Sequence, residues 1–310
     1  MSNFCLIAAS LVSQGQAPGW QMAVPPAALP TQMPPVASKA IAHLCDPKSD
    51  TYRPTNPIAE AQFPEFDQQW QLRPALALRP ISGSQLFQQR WAALRIGKLY
   101  THVAADSFQS AWMNATTPPT YQQWVSLLKR ESEVMAQSQG NNRLSVLLGD
   151  SLALWFPIER LSSDRYWLNQ GISGDTTTGI LNRLPLLDNI HPDTIHIMAG
   201  INDLRQGATD ATVISNLLQI IRQLKRSHPE ATLYVYSILP TRLPAIPSNR
   251  VRWLNYNIAA AARKEGVDFL NLQPAFSDDR GNLRRDLTTD GLHLSHLGYK
   301  VWQTALQPIF

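Results

Sequence analysis

The latter half of this chain predicts an α/β fold, a parallel sheet covered by helices on both faces. Three observations lead there. From Arg143 onward, short apolar runs of strand length alternate with stretches of helical periodicity. The clearest of the runs are almost wholly apolar rather than alternating, as in strands buried on both sides. With 310 residues, 44% hydrophobic and 16% charged, the chain can bury a large core.

The strands are expected at 144–148 (LSVLL), 166–172, 194–198, 232–239 (TLYVYSIL) and 267–272. Helices fall between them near 153–160, 176–187, 210–227 and 250–265, with a last one near 295–307. Asp210 is a plausible N-cap for the third, which stops at His228-Pro229. There is no internal repeat.

Upstream, composition changes twice. Residues 13–80 hold 12 of the 23 prolines. Proline fixes φ and removes a donor, so residues 1–80 read as an irregular linker or surface strap. Phe63, Phe66, Trp70 and Leu72 suggest that its later part packs on something. Residues 81–140 read as a helical extension. One helix is expected over 85–108, with Leu86, Trp91, Leu94, Leu99 and Val103 on its apolar side. A second opens after Pro118-Pro119, with Glu131 as the one polar break in its stripe, and stops at Gly140-Asn141-Asn142. Residues 141–310 then form the domain expected to carry the chemistry.

Other features bound the function. The 27 basic and 23 acidic residues leave a net charge of only +4, and the basic residues are scattered, so nothing marks a nucleic-acid site. Cys5 and Cys45 lack metal-ligand spacing; they either pair outside the cytoplasm or stay free. Residues 4–12 form an apolar run too short to span a bilayer. It serves equally as a signal or anchor without a preceding basic residue, or as neither, so periplasmic, extracellular and cytoplasmic locations stay open. The strap leaves proximity to a membrane or wall open, and the sequence does not specify an oligomeric state.

In parallel α/β sheets, sites form beyond the carboxyl ends of the strands. Four segments there carry reactive groups. Strand 1 ends in Gly149-Asp150-Ser151-Leu152, with Ser151 at the positive start of a helix. That position suits a nucleophile, though it also suits a plain N-cap. Strand 2 ends in Gly171-Ile172-Ser173-Gly174-Asp175, where the Gly174 N–H can meet a developing oxyanion. Strand 3 ends in Ala199-Gly200-Ile201-Asn202-Asp203, where the Asn202 amide can donate into the same space. Near the C-terminus, Asp290-Gly291-Leu292-His293 puts a carboxylate three residues before an imidazole. Asp290 can then hold Nδ1 and leave Nε2 to take the serine proton. His296 is the alternative base, but lacks an Asp at that spacing. His196 lies within a strand, and His191 in a loop.

These four blocks, in this order, resemble the SGNH, or GDSL, hydrolase family. The second and third are similar to those of bacterial thioesterase/lysophospholipase enzymes and of platelet-activating-factor acetylhydrolase catalytic subunits. The resemblance covers about residues 142–310. Met198-Ala199 stands before the third block in place of a polar residue. The resemblance implies a flavodoxin-like three-layer α/β/α sandwich with a five-stranded parallel sheet. It also implies a serine esterase with Ser151 as nucleophile, His293 as base and Asp290 as its orienting acid. Its oxyanion hole would comprise the Ser151 and Gly174 N–H groups and the Asn202 side chain, and neither metal nor organic cofactor would take part. The substrate would be a small-molecule, lipid or sugar ester. Acyl transfer through the same triad is the alternative within enzymes, and a non-catalytic scaffold with this fold the alternative outside them. Leu204 and Arg205 follow the third block and could shape the pocket. Trp155 and Phe156 could line an acyl site or belong to the core.

Overall fold

The structure is a computed structural model that describes residues 78–306, all within one compact unit. The apolar run at 4–12, both cysteines and the proline-rich stretch up to residue 77 lie outside the described residues.

Five strands form one sheet: β1 (Leu144–Gly149), β2 (Tyr166–Gly171), β3 (Thr194–Met198), β4 (Thr232–Tyr236) and β5 (Asp268–Leu270). Every pairing is parallel, in the order β2-β1-β3-β4-β5. That is the doubly wound order of flavodoxin-like folds. Successive side chains of a strand point to opposite faces, and β1 shows both cores. Leu144, Val146 and Leu148 enter a core shared with Leu217, Ile221, Leu254 and Ile258 of α7 (Asp210–Ser227) and α8 (Ser248–Lys264). Leu147 enters the opposite core with Phe276 of α9 (Gln273–Phe276) and with Tyr299 and Trp302 of α10 (His296–Leu306). Each such fully buried aliphatic side chain contributes roughly 1.5–3 kcal/mol of transfer free energy. Helices thus cover both faces, as the alternating pattern requires.

The helical segment at 81–140 belongs to the same unit. Helix α1 (Gly83–Arg95) and helix α3 (Tyr121–Ser138) pack Leu86, Phe87, Trp124, Leu127 and Leu128 against Leu154 and Ile172, which follow β1 and β2. Glu131, the polar break in the α3 stripe, is buried and paired through both carboxylate oxygens with Arg90 of α1. Arg90 also donates to the Asn169 carbonyl of β2 at 2.8 Å. The break in the pattern is therefore a buried ion pair that ties two helices to the sheet.

Several expected boundaries need correction. The helix expected over 85–108 stops at Arg95, because Gly97 takes a left-handed φ of 69° just beyond it. A 3-10 turn at Tyr100–His102 and the short α2 (Gln109–Trp112) follow. The helix expected at 153–160 is α4 (Ser151–Leu154) and a 3-10 turn at Ile158–Arg160, separated at Pro157, which has no N–H to give. The stretch 176–187 is α5 (Thr177–Arg183) and a 3-10 turn at Leu184–Leu187. The N-cap of α7 is Thr209, whose side chain accepts from the Thr212 N–H. Asp210 lies in the first turn and pairs with Arg250.

Candidate active site

The register of the sheet brings three segments level. Gly149 of β1 lies opposite Gly171 of β2 and Met198 of β3, so the chain leaves all three strands along one edge. Asp150 follows β1 and caps α4, its Oδ1 accepting from the Leu152 N–H at 2.9 Å. Ser151 opens the helix and is 6% exposed. Among the described residues its hydroxyl makes no hydrogen bond. Gly171 is required by close approach, since a Cβ there would lie 2.3 Å from the Leu154 nitrogen. The end of β2 thus abuts the helix that presents Ser151.

Beyond β2 the chain turns through Gly174 at a φ of 80°, a conformation that favours glycine. Asp175 is buried and is clamped by Arg183 of α5, whose Nε donates to Oδ2 at 2.8 Å. The same guanidinium donates from Nη2 to the Gly149 carbonyl at 2.9 Å, joining the second segment to the end of β1. Burial pushes the Asp175 carboxyl up against the opposing pull of Arg183. Thr176 is the N-cap of α5, its side chain accepting from the Gly179 N–H.

Beyond β3, Gly200 leads into α6 (Ile201–Arg205). Asn202 is 3% exposed, and its amide is oriented from both ends. Nδ2 donates to the Asp175 carbonyl at 3.0 Å, and Oδ1 accepts from Arg205 Nη1 at 3.0 Å. Arg205 therefore fixes which way the amide faces. Asp203 closes a second clasp, accepting from the Thr177 N–H at 2.9 Å and the Thr177 hydroxyl at 2.5 Å.

The fourth segment is a tight loop between Thr288 and Leu294, which form an antiparallel bridge. Gly291 turns it at a φ of 89°, and its carbonyl accepts from the Arg242 N–H at 2.8 Å. Asp290 Oδ2 lies 2.6 Å from His293 Nδ1, while Oδ1 accepts from the His293 and Leu292 N–H groups at 2.8 and 3.0 Å. Partial burial pushes the Asp290 carboxyl upward, but these bonds to His293 and Leu292 outweigh it and hold it below the usual range. Both side chains are partly open to solvent.

Asp150 reports how closely the segments meet. Complete burial pushes its carboxyl up to about 7, the Leu152 bond opposes that, and the charges of Asp175, His293 and Asp203 act on it as well. One group from each of the other three segments is thus felt at the residue before Ser151.

The other histidines weighed from the sequence have hydrogen-bond partners of their own. His196 is buried between the Tyr236 hydroxyl (2.8 Å) and Thr194 (3.1 Å), and burial drives its imidazole down to about 3. His296 lies 2.6 Å from Arg160. The His191 carbonyl accepts from Gln139. Phe156 is a core residue, set edge-on to Tyr299 and Trp302 at 5.7 and 5.1 Å. Trp155 is half-buried and lines a small cavity with Leu86 and Tyr100. Leu204 is buried, and Arg205 acts through Asn202. The pattern reading did not single out Asp150, Arg183 or Arg242 as parts of this assembly. Among the described residues, no group of three or more His, Cys, Asp or Glu side chains could hold a metal ion. No helix there is long and apolar enough to cross a membrane.

The sequence profile of the GDSL-like lipase/acylhydrolase family matches residues 136–301, more than half of the chain. The chain belongs to that family. As a GDSL-like acylhydrolase it is a carboxylic ester hydrolase. It is 30% identical over 187 residues to the platelet-activating factor acetylhydrolase IB subunit alpha1 of Bos taurus, covering 57% of this chain and 77% of that one. It is 31% identical over 173 residues to an arylesterase of Vibrio mimicus, covering 51% and 82%. A GDSL-like lipase from Bacteroides thetaiotaomicron superposes with a TM-score of 0.53 at 20% identity, over 60% of this chain and 96% of that one. That likeness carries the fold alone. The family match begins at residue 136, so α1 and all but the end of α3 lie before it.

Proposed function

We propose that this acylhydrolase cleaves short acyl esters through Ser151, His293 and Asp290, with the Ser151 and Gly174 N–H groups and the Asn202 side chain as its oxyanion hole. The catalytic domain is residues 141–310, and the helices at 81–140 are packed on it. The observation that carries the reading is the 2.6 Å contact between Asp290 Oδ2 and His293 Nδ1.

The chemistry follows from the assignments. Asp290 accepts a hydrogen bond from Nδ1–H and stays ionised, so Nε2 is free to take the proton of Ser151 as Oγ attacks the ester carbonyl. The carbonyl oxygen becomes an anion facing three donors, each typically worth about 3–4 kcal/mol of transition-state stabilisation. His293 then protonates the leaving alkoxide, and water reverses the sequence to release the acid. Ser151 and His293 do not hydrogen-bond in this structure; such contacts commonly tighten when substrate fills the site. Relatives named for acetyl hydrolysis and for aryl esters support a short acyl group.

A fluorophosphonate probe tests the reading. Stoichiometric labelling that maps to Ser151, and is lost in His293→Ala, is the expected result. Labelling at another serine, or none in the folded protein, would overturn it.

A further inference from the structure

A cavity of about 500 Å³ borders the loop that carries Gly174. Its walls come from two sources. Tyr121 and Gln122 stand on α3, before the family's matched region, whereas Ser173, Gly174 and Asn182 belong to the catalytic domain. Gln206, just after α6, completes the rim. The two walls are joined where the Tyr121 hydroxyl reaches Asp175 Oδ1 at 3.5 Å.

The lining chemistry is selective. Gln122, Asn182 and Gln206 are exposed, and among the described residues their carboxamides make no hydrogen bond. Each offers one acceptor oxygen and two N–H donors. Tyr121 adds a partly exposed aromatic ring with a polar tip. Val125 is the one aliphatic side chain larger than a methyl group in the lining. The lining cation, Arg183, is paired with the Asp175 carboxylate and donates to the Gly149 carbonyl, so the charge it presents to a phosphate is offset by that carboxylate. Uncharged donors and acceptors around an aromatic ring match a neutral polyhydroxyl compound.

We propose that this cavity receives the alcohol part of the ester and that this alcohol is a sugar, which makes the protein an esterase of O-acylated carbohydrates. The inference rests on the Ser151 mechanism above and deepens it. Gly174 serves both sides: its N–H faces the oxyanion, and its loop walls the sugar subsite. The α3 helix is then a specificity element laid over the catalytic domain.

The test compares a singly O-acetylated methyl glucoside with p-nitrophenyl acetate and ethyl acetate, using the full chain. The acetyl group is common to all three, so differences report the alcohol. The expected result is a kcat/KM for the glucoside at least tenfold above that for ethyl acetate. In the triple variant Gln122→Ala, Asn182→Ala, Gln206→Ala, the ratio of glucoside to p-nitrophenyl acetate turnover should fall about tenfold or more, through a raised KM. All three positions are exposed, so folding is not at issue. Ser151-dependent cleavage of p-nitrophenyl acetate with no preference for the glucoside, or with the ratio unmoved in the variant, would overturn the sugar subsite and leave the mechanism standing. Loss of Ser151 dependence on every ester would overturn the mechanism itself.

Discussion

Asp290 accepts from His293 twice, taking the backbone N–H on Oδ1 at 2.8 Å and facing imidazole Nδ1 with Oδ2 at 2.6 Å. One residue thus fixes both the position of the loop and the tautomer of the ring. Asp290→Asn keeps the shape but presents an amide, which favours the wrong tautomer. We expect kcat to fall on the order of 10²- to 10⁴-fold with little change in folding. The wild-type carboxyl is held below its usual range, so Asp290 should not set the acid limb of the pH profile. A pH series of kcat/KM for wild type and variant checks both points.

Asn202 donates to the Asp175 carbonyl and is braced by Arg205. Removing its amide should cost about 100- to 1000-fold in kcat, as for other side-chain oxyanion donors. Arg205→Ala should cost less, because the amide stays but loses its brace. Steady-state kinetics on one chromogenic ester rank the two; an Asn202→Ala enzyme of wild-type rate would remove Asn202 from the site.

Asp150 makes folding stability depend on pH. Burial raises its carboxyl to about 7 in the folded state, against about 3.9 in an unfolded chain. A raised folded value means that the folded protein binds the extra proton. The contribution is fully present below about pH 4 and is lost as pH rises through 7. Asp150→Asn keeps the helix cap but cannot ionise. The variant should therefore gain stability relative to wild type between pH 5 and 8, by on the order of 4 kcal/mol as an upper bound. Urea unfolding at the two pH values measures it, and parallel wild-type and variant curves would contradict it.

Arg90 and Glu131 are both buried, so neither tolerates the loss of the other. Arg90→Met or Glu131→Leu alone should destabilise by about 3–5 kcal/mol, because one charge is left unpaired. The double variant should be markedly more stable than either single one. A double-mutant cycle by chemical denaturation reads the difference.

Strand positions were legible because runs such as LSVLL and TIHIM have the length and apolarity of buried parallel strands. Ser151, Gly174, Asn202 and His293 stood out as candidates because each follows a strand end or sits on a turn, and their roles rest on the proposal above. Helix ends were less so. Leu99 and Val103 continue the α1 periodicity, yet Gly97 ends the helix, and Leu99 joins another part of the core. The stripe of α3 showed Glu131 as an interruption but not its partner, since Arg90 lies 41 residues away and nothing in local pattern pairs them. For the same reason Asp150 read as a letter in a motif. Its strained ionisation depends on Asp175, Asp203 and His293, which only the fold assembles.

The most direct test of the central claim is hydrolysis of p-nitrophenyl esters from acetate to palmitate by wild type and Ser151→Ala. The account predicts turnover that is fastest with the shortest acyl chains and falls to background in a variant that folds normally. Turnover that survives in Ser151→Ala would contradict it.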